Sequence, residues 1–274
     1  MSDLTVRKLL IDLETPFELR WNGGDAFTSA FMNALSMSFP VGEQFFIDSL
    51  RRGVKELSPD LQASFAQDIK GFIGQEATHR RIHERFNHHV LNQGMVNHWE
   101  KRALRRIAHI NQKKAIHAVA VTAAYEHFTS VFAAWLLNHP DFLAQAPKRL
   151  QTLWMWHASE ETEHRSVSFD VYRAMGGNDV WRKRWMITVT VFFLSDILLQ
   201  TCNNLWHEGS LFKLSTWRSA WRHLFASQGL FTSSYGSWKQ YFRADFHPAE
   251  HDDQLSRQWL QANQQTYQAI GQST

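Results

Sequence analysis

The amino-acid sequence predicts an all-α protein, a bundle of four long helices followed by further helices. Three observations predict it. Apolar residues recur at i, i+3 and i+4 along four long stretches. Strand signals are scarce. Each of the four apolar stripes also carries glutamate where leucine would be ordinary. At 274 residues and 44% hydrophobic content, the chain can bury one large core, with or without an appendage.

The first helix is expected over about 25–57, on the stripe Phe31, Leu35, Phe39, Glu43, Phe46 and Leu50. Pro40 and Gly42 lie inside it and predict a kink near Glu43. Ser58-Pro59 is a start signal, serine as N-cap and proline in the first turn. The second helix then runs to about residue 92, with the stripe Phe65, Ile69, Phe72, Glu76, His79, His83, Phe86 and Val90. A polar, basic stretch follows over about 97–114. The third core helix spans about 112–138, with Ile116, Val119, Ala123, Glu126, Ser130, Ala133 and Leu137 on one face, and Pro140 stops it. The fourth runs over about 147–175 to Gly176-Gly177, on Leu150, Trp154, His157, Glu161, His164, Ser168 and Val171. Beyond it come an apolar helix at about 180–203, a Trp-rich basic segment at about 211–225 and a polar tail. The expected organisation is an N-terminal segment (1–24), a four-helix core (25–178) and a helical extension packed on or beside it (179–274).

Bulk properties narrow the function. A net charge of +3 gives no case for nucleic acid binding. Cys202 is the single cysteine, so neither an intramolecular disulfide nor a cysteine-bound zinc is available. Asp12, Glu14 and Glu18 interrupt the N-terminal apolar residues, so no signal-peptide core is expected. The least polar run, 186–199, contains Asp196 and is shorter than the about 20 apolar residues that span a bilayer. It reads as a buried or interfacial helix, and the chain as cytoplasmic, with peripheral attachment to the inner membrane face kept open.

The chemistry lies in the stripes. A buried carboxylate is costly unless paired or bound to a metal, and four together repel one another unless a cation offsets them. Glu76-x-x-His79 and Glu161-x-x-His164 each place two donors on one helix face. Glu43 and Glu126 are lone stripe glutamates, 33 residues before Glu76 and 35 before Glu161. One Glu from each of two helices and Glu-x-x-His from each of two others is the donor set of ferritin-like dinuclear carboxylate bundles. Glu43, Glu76, His79, Glu126, Glu161 and His164 are therefore the candidate ligands of two metal ions. The bland alternative is glutamates on solvated faces. Oxygen and imidazole donors suit iron first, then manganese. His83 and His157 lie one turn from the ligands and Glu160 one turn from His164; they are expected to support the ligands or add one to the set. Glu163 is expected on the outer face, and Tyr125 is given no role.

The stretches FPVGEQFF, FIGQEATHRRIHERFN, AAYEHFT, WHASEETEHRSVSFDVY and YFRADFHPAEHDD resemble the bacterial family described as predicted metal-dependent hydrolases, a family grouped with ferritin-like di-iron proteins. The resemblance runs from about residue 27 to 253. It implies a metal site at the same six residues and leaves the reaction open. The main expectation is a di-iron oxidase or oxygenase acting on a small or lipid-like molecule, with electrons from a partner protein or from the substrate. The alternative is a hydrolase using a metal-bound hydroxide. A non-catalytic iron-binding protein is the third.

Trp217, Trp221 and Leu224 stand at i, i+4 and i+7 beside Arg218 and Arg222. They suit an interfacial membrane helix, a cap on the bundle or a homodimer interface. His247 and His251, four apart near Glu250, Asp252 and Asp253, read mainly as a helix start, with a second metal site as the less favoured reading.

Overall fold

The first long helix begins at its expected cap: the Asp25 carboxylate accepts from the Thr28 N–H at 2.8 Å, and α1 runs Ala26–Val54. The structure is a computed structural model and describes residues 4–270. Helix α1 continues through Pro40 as one element. Helix α2 (Pro59–Asn92) starts at Ser58-Pro59 and returns alongside α1. The basic stretch after it forms an amphipathic helix, α3 (His98–Ile110), capped by Asn97. Helix α4 (Ala115–Asn138) is buried over most of its length, and α5 (Lys148–Glu163) packs against it. Two hairpins, α1/α2 and α4/α5, thus face each other. Side chains such as Phe72, Phe86, Leu150 and Trp156 are fully enclosed between them, each worth about 1.5–3 kcal/mol of burial.

The expected single fourth helix is broken. Helix α5 stops at Glu163, and a short α6 (Val167–Ala174) resumes after a turn. The cause lies far away in sequence. Arg165, in the turn, is buried and donates to the carbonyls of Thr162, Pro248 and His251, so side-chain donation replaces helical hydrogen bonding there.

The apolar run lies in α7 (Asp179–His207), which starts where expected and continues four residues further. By length and composition alone α7 could cross a membrane, but 39% of its most apolar window is buried against the protein. Met186, Val189, Phe193 and Ile197 face inward, and α7 packs on α1, α3 and α4. Its Asp196 is buried and ion-paired with Arg102 and Arg106 of α3, which ties the two helices together.

The Trp-rich segment forms α8 (Leu214–Leu224), followed by α9 (Leu230–Gln240) and α10 (Gln254–Ala262), which pack on α1, on α4 and on α5 respectively. The tail is not merely polar coil. Strand β2 (Tyr267–Ala269) pairs antiparallel with β1 (Arg7–Leu9), Arg7 opposite Ala269 and Leu9 opposite Tyr267. This joins the two ends of the described chain beside α2.

Candidate metal centre

The four stripes converge in the interior. Glu43 comes from α1, Glu76 and His79 from α2, Glu126 from α4, Glu161 from α5, and His164 from the turn after it. All six are at most 4% exposed. Their donor atoms form three overlapping clusters: Glu43, His79 and His157; His79, Glu161 and His164; Glu76, Glu126 and His164. Within each, the donor atoms lie within 4.8 Å of one another. The helical break does not remove His164 from the site: its Nδ1 lies 2.9 Å from Glu126 Oε2 and its Nε2 3.7 Å from Glu161 Oε1.

The electrostatics are those of an overfilled carboxylate site. Burial pushes the Glu43 and Glu76 carboxyls well above the ordinary range, and the charges of Glu126 and Glu161 add to it. Burial also raises Glu126, against the pull of His164. For Glu161, burial acts upward too, but His164, His157 and His79 outweigh it and hold the carboxyl well below the usual range. Burial works against a charged His79, yet its bonds to Glu160 and Glu161 raise it to about 10.

The hydrogen-bond pattern bears on whether a cation suits these residues. Both oxygens of Glu43 and of Glu76 are buried with no hydrogen-bond partner among the described residues. So are Glu126 Oε1, Glu161 Oε2, His79 Nδ1, His157 Nε2 and His164 Nε2. Buried polar atoms are ordinarily satisfied, and each orphan costs about 1–3 kcal/mol. Nine of them concentrated on seven Glu and His side chains is what bound cations would satisfy.

The supporting side chains sort by what each nitrogen and oxygen touches. His83 is used on both sides, with Nδ1 2.8 Å from Ser36 Oγ and Nε2 2.8 Å from His157 Nδ1. It therefore orients His157 and has no nitrogen left for a metal. His157 keeps Nε2 for the centre, 3.1 Å from Glu161 Oε1, and its ring stacks on His79 at 4.3 Å. It is a seventh donor candidate. Glu160 does not orient His164, as its spacing suggested; the turn of α5 aims it at His79, whose Nε2–H donates to Glu160 Oε2 at 2.9 Å. That bond leaves His79 Nδ1 facing the other donors.

Sequence reasoning missed Arg7. From β1 it donates to Glu160 at 3.0 Å and grips Glu163 with two N–H groups at 2.7 and 2.9 Å. Glu163 is therefore an inner partner, not an outer-face residue, and also accepts from Gln75 Nε2 at 2.7 Å. The strand reaches this depth because Gly71 and Gly74 open the α2 surface. A Cβ on either would stand 2.4 Å from Leu4 Cβ or 2.3 Å from Val6 Cγ2. Glycine in mid-helix was the available signal, though it does not say what fills the space.

Two apolar cavities approach the centre on either side of Phe39. One of about 60 Å³ touches His157 and Glu161, with Trp154, Phe142 and Phe193 among its walls. The other, about 310 Å³, lies between α1, α3, α4 and α7 and ends at Glu43. Tyr125, adjacent in sequence to Glu126, lines it. The His247/His251 segment forms no donor cluster among the described residues. His247 bonds Asp170 at 2.7 Å and caps a short 3₁₀ turn (Pro248–Glu250); His251 follows that turn and packs beside His127, and α10 starts only at Gln254.

Comparison with known proteins gives one positive result. Residues 5–252 match a family described as predicted metal-dependent hydrolase. No curated protein and no solved structure is significantly similar to the chain.

Proposed function

The chain belongs to this family of predicted metal-dependent hydrolases, and from that premise we propose that it is a dinuclear metal enzyme that hydrolyses an organic substrate. The observation that carries this is the set of buried, unpartnered carboxylate and imidazole atoms at the end of an apolar cavity. Four glutamates balance the charge of two divalent cations when the histidines are neutral. Glu43, Glu76, His79, Glu126, Glu161 and His164 would hold the metals, with His157 as a further donor. When bound, the metals supply Lewis acidity, which polarises a scissile bond and acidifies water.

The chain's own residues do the rest. Glu160 and Arg7 hold His79 in one tautomer with Nδ1 inward. Ser36 and His83 do the same for His157. Phe39, whose ring lies 4.6 Å from both His83 and His157, walls the donors off from bulk water. The apolar walls of the larger cavity admit a substrate and bring it to Glu43.

One observation favours a second reading, oxidation of the substrate with O2. The donor set is rich in carboxylates, lacks thiolate and pairs two Glu-x-x-His motifs, as in ferritin-like di-iron enzymes. This is an argument by analogy of fold. The two readings separate on metal-replete protein. Hydrolysis predicts turnover of ester or phosphoester panels under anaerobic conditions with Zn or Mn. Oxidation predicts O2 consumption by the reduced iron form and no anaerobic turnover. An iron-loaded protein silent in both assays would leave only a binding role.

A further inference from the structure

We propose that the 310 Å³ cavity is an acyl-chain site, taking a single-chain amphiphile whose anionic head rests at Arg105 and whose tail runs inward to Gly42 and Glu43. This rests on the reading of the Glu–His cluster as a metal centre and deepens the second, oxidative reading of its chemistry, since the end of an alkyl tail brings C–H bonds to Glu43 and no bond to hydrolyse.

The cavity has two chemically distinct ends. Glu43, at one end, is 1% exposed and belongs to the donor cluster. Arg105 and His109, exposed on α3, and Phe192, 40% exposed on α7, line it where it meets the surface. The wall between is apolar, with Phe46, Trp99, Ile107 and Val189 among its members. A volume of 310 Å³ holds about ten units the size of water or methylene, at ~30 Å³ each. That is a tail of roughly ten carbons, too long for a small polar metabolite and too apolar for one.

The arginines that α3 carries beside the cavity are not equivalent. Arg102 and Arg106 are committed to Asp196. Arg105 lines the cavity and carries no ion pair among the described residues. A free guanidinium at the mouth of an apolar tunnel suits a carboxylate or phosphate head.

Gly42 is the second clue. Glycine in the interior of a helix is unfavourable, yet Gly42 lies mid-α1 where a Cβ would meet only Phe46 Cζ at an ordinary 3.8 Å. No protein atom requires glycine there. The space it leaves is cavity, next to Glu43.

The rim also continues into an exposed apolar face of α7, where Ile187, Val191, Leu194 and Leu198 are 36–60% exposed and follow helical spacing. Lys183 and Arg184 flank its start. Such a face suits delivery from an anionic bilayer, though the same amphiphile can arrive free in solution.

Tritiated dodecanoate, octanoate and dodecanol, dialysed against the full-length protein as purified, test the site, with metal content measured on the same samples. Saturable binding of about one dodecanoate per chain, tighter than dodecanol, is expected. Gly42→Leu should weaken dodecanoate about tenfold and octanoate much less, because it shortens the buried end. Arg105→Glu should weaken both anions about tenfold and leave dodecanol unchanged. Ala103→Trp, part-way along the wall, is the second variant should Gly42→Leu fail to fold. No saturable binding, or dodecanoate binding unaltered by both cavity variants, overturns the proposal. Equal affinity for dodecanoate and dodecanol overturns the anionic head. Either failure with metal content intact leaves the metal centre standing; lost metal with dodecanoate still bound does the reverse. Sedimentation with phosphatidylglycerol vesicles, and release by Leu198→Glu, assigns the source to the bilayer. Binding of dodecanoate by protein that stays in the supernatant assigns it to solution, and both outcomes support the acyl site.

Discussion

Replacing Glu160 with glutamine should weaken metal binding without unfolding the protein. Glu160 is completely buried, accepts from His79 Nε2 at 2.9 Å and is held from behind by Arg7 at 3.0 Å. Two routes give the size of the effect. Removing an outer partner of a metal-binding histidine costs about 10–100-fold in affinity, or about 1.4–2.7 kcal/mol. A hydrogen bond to a charged partner is worth about 1.5–3 kcal/mol, the same range. Glutamine keeps the shape and an accepting oxygen, so the lower end is expected: about tenfold. Arg7→Met is the companion. It leaves Glu160 buried without its cation and Glu163 partly so, which should cost about 2–4 kcal/mol of stability, discounted from a fully buried pair because Arg7 and Glu163 keep some solvent contact. Competition against a fluorescent chelator for Mn or Zn reads the first, and urea unfolding of chelator-treated protein the second. If folded Glu160→Gln binds metal within about twofold of wild type, His79 is not set by Glu160 and the reasoning fails.

Three further outcomes are expected. Gly42→Ala should raise stability by about 0.5–1 kcal/mol in a thermal melt, since helical glycine is replaced where a methyl has room; a fall in stability would mean that Gly42 serves the backbone. Burial holds His127 down to about 3, far below the ordinary 6.5, while Nε2 meets the Ser237 carbonyl at 3.1 Å. A depressed imidazole contributes stability above the unfolded value and loses it as pH falls from 6.5 towards 3, so His127→Gln should flatten the acid-side slope of urea stability by up to about 1.4 kcal/mol per pH unit; an unchanged slope would show that His127 does not titrate on unfolding. Asp196→Ala should cost about 1–3 kcal/mol in urea unfolding, a modest figure because its two arginine partners are each about a quarter exposed; no loss would mean that α3 is held to α7 by packing alone.

Much of the centre was legible because a carboxylate on an apolar stripe contradicts its surroundings. Glu43, Glu76, Glu126 and Glu161 each occupy a core position, and a repeat of i, i+3 aligns a histidine with two of them. The structure gathers all six donors, yet their neighbours were less legible. Nothing local shows that Glu160 turns to His79 across the bundle and not to His164. Arg7 sits on a strand of three residues, too short to leave a period, and its partner strand begins 260 positions later. The break after Glu163 was equally hidden, since the carbonyls that Arg165 captures at Pro248 and His251 lie 83 and 86 residues downstream. The helix α7 was legible through Asp196 to within a few residues, but the partners of that buried charge were not, since Arg102 and Arg106 come from a stretch that reads only as polar.

The central claim is that the buried Glu–His cluster holds metal. Metal content per chain, by plasma mass spectrometry of protein purified without chelator, tests it most directly when wild type is compared with Glu76→Ala and Glu161→Ala. The account predicts about two metal ions per wild-type chain and well under one in each folded variant. Negligible metal in the wild type after growth and reconstitution with iron, manganese and zinc, or full retention in both variants, would contradict it.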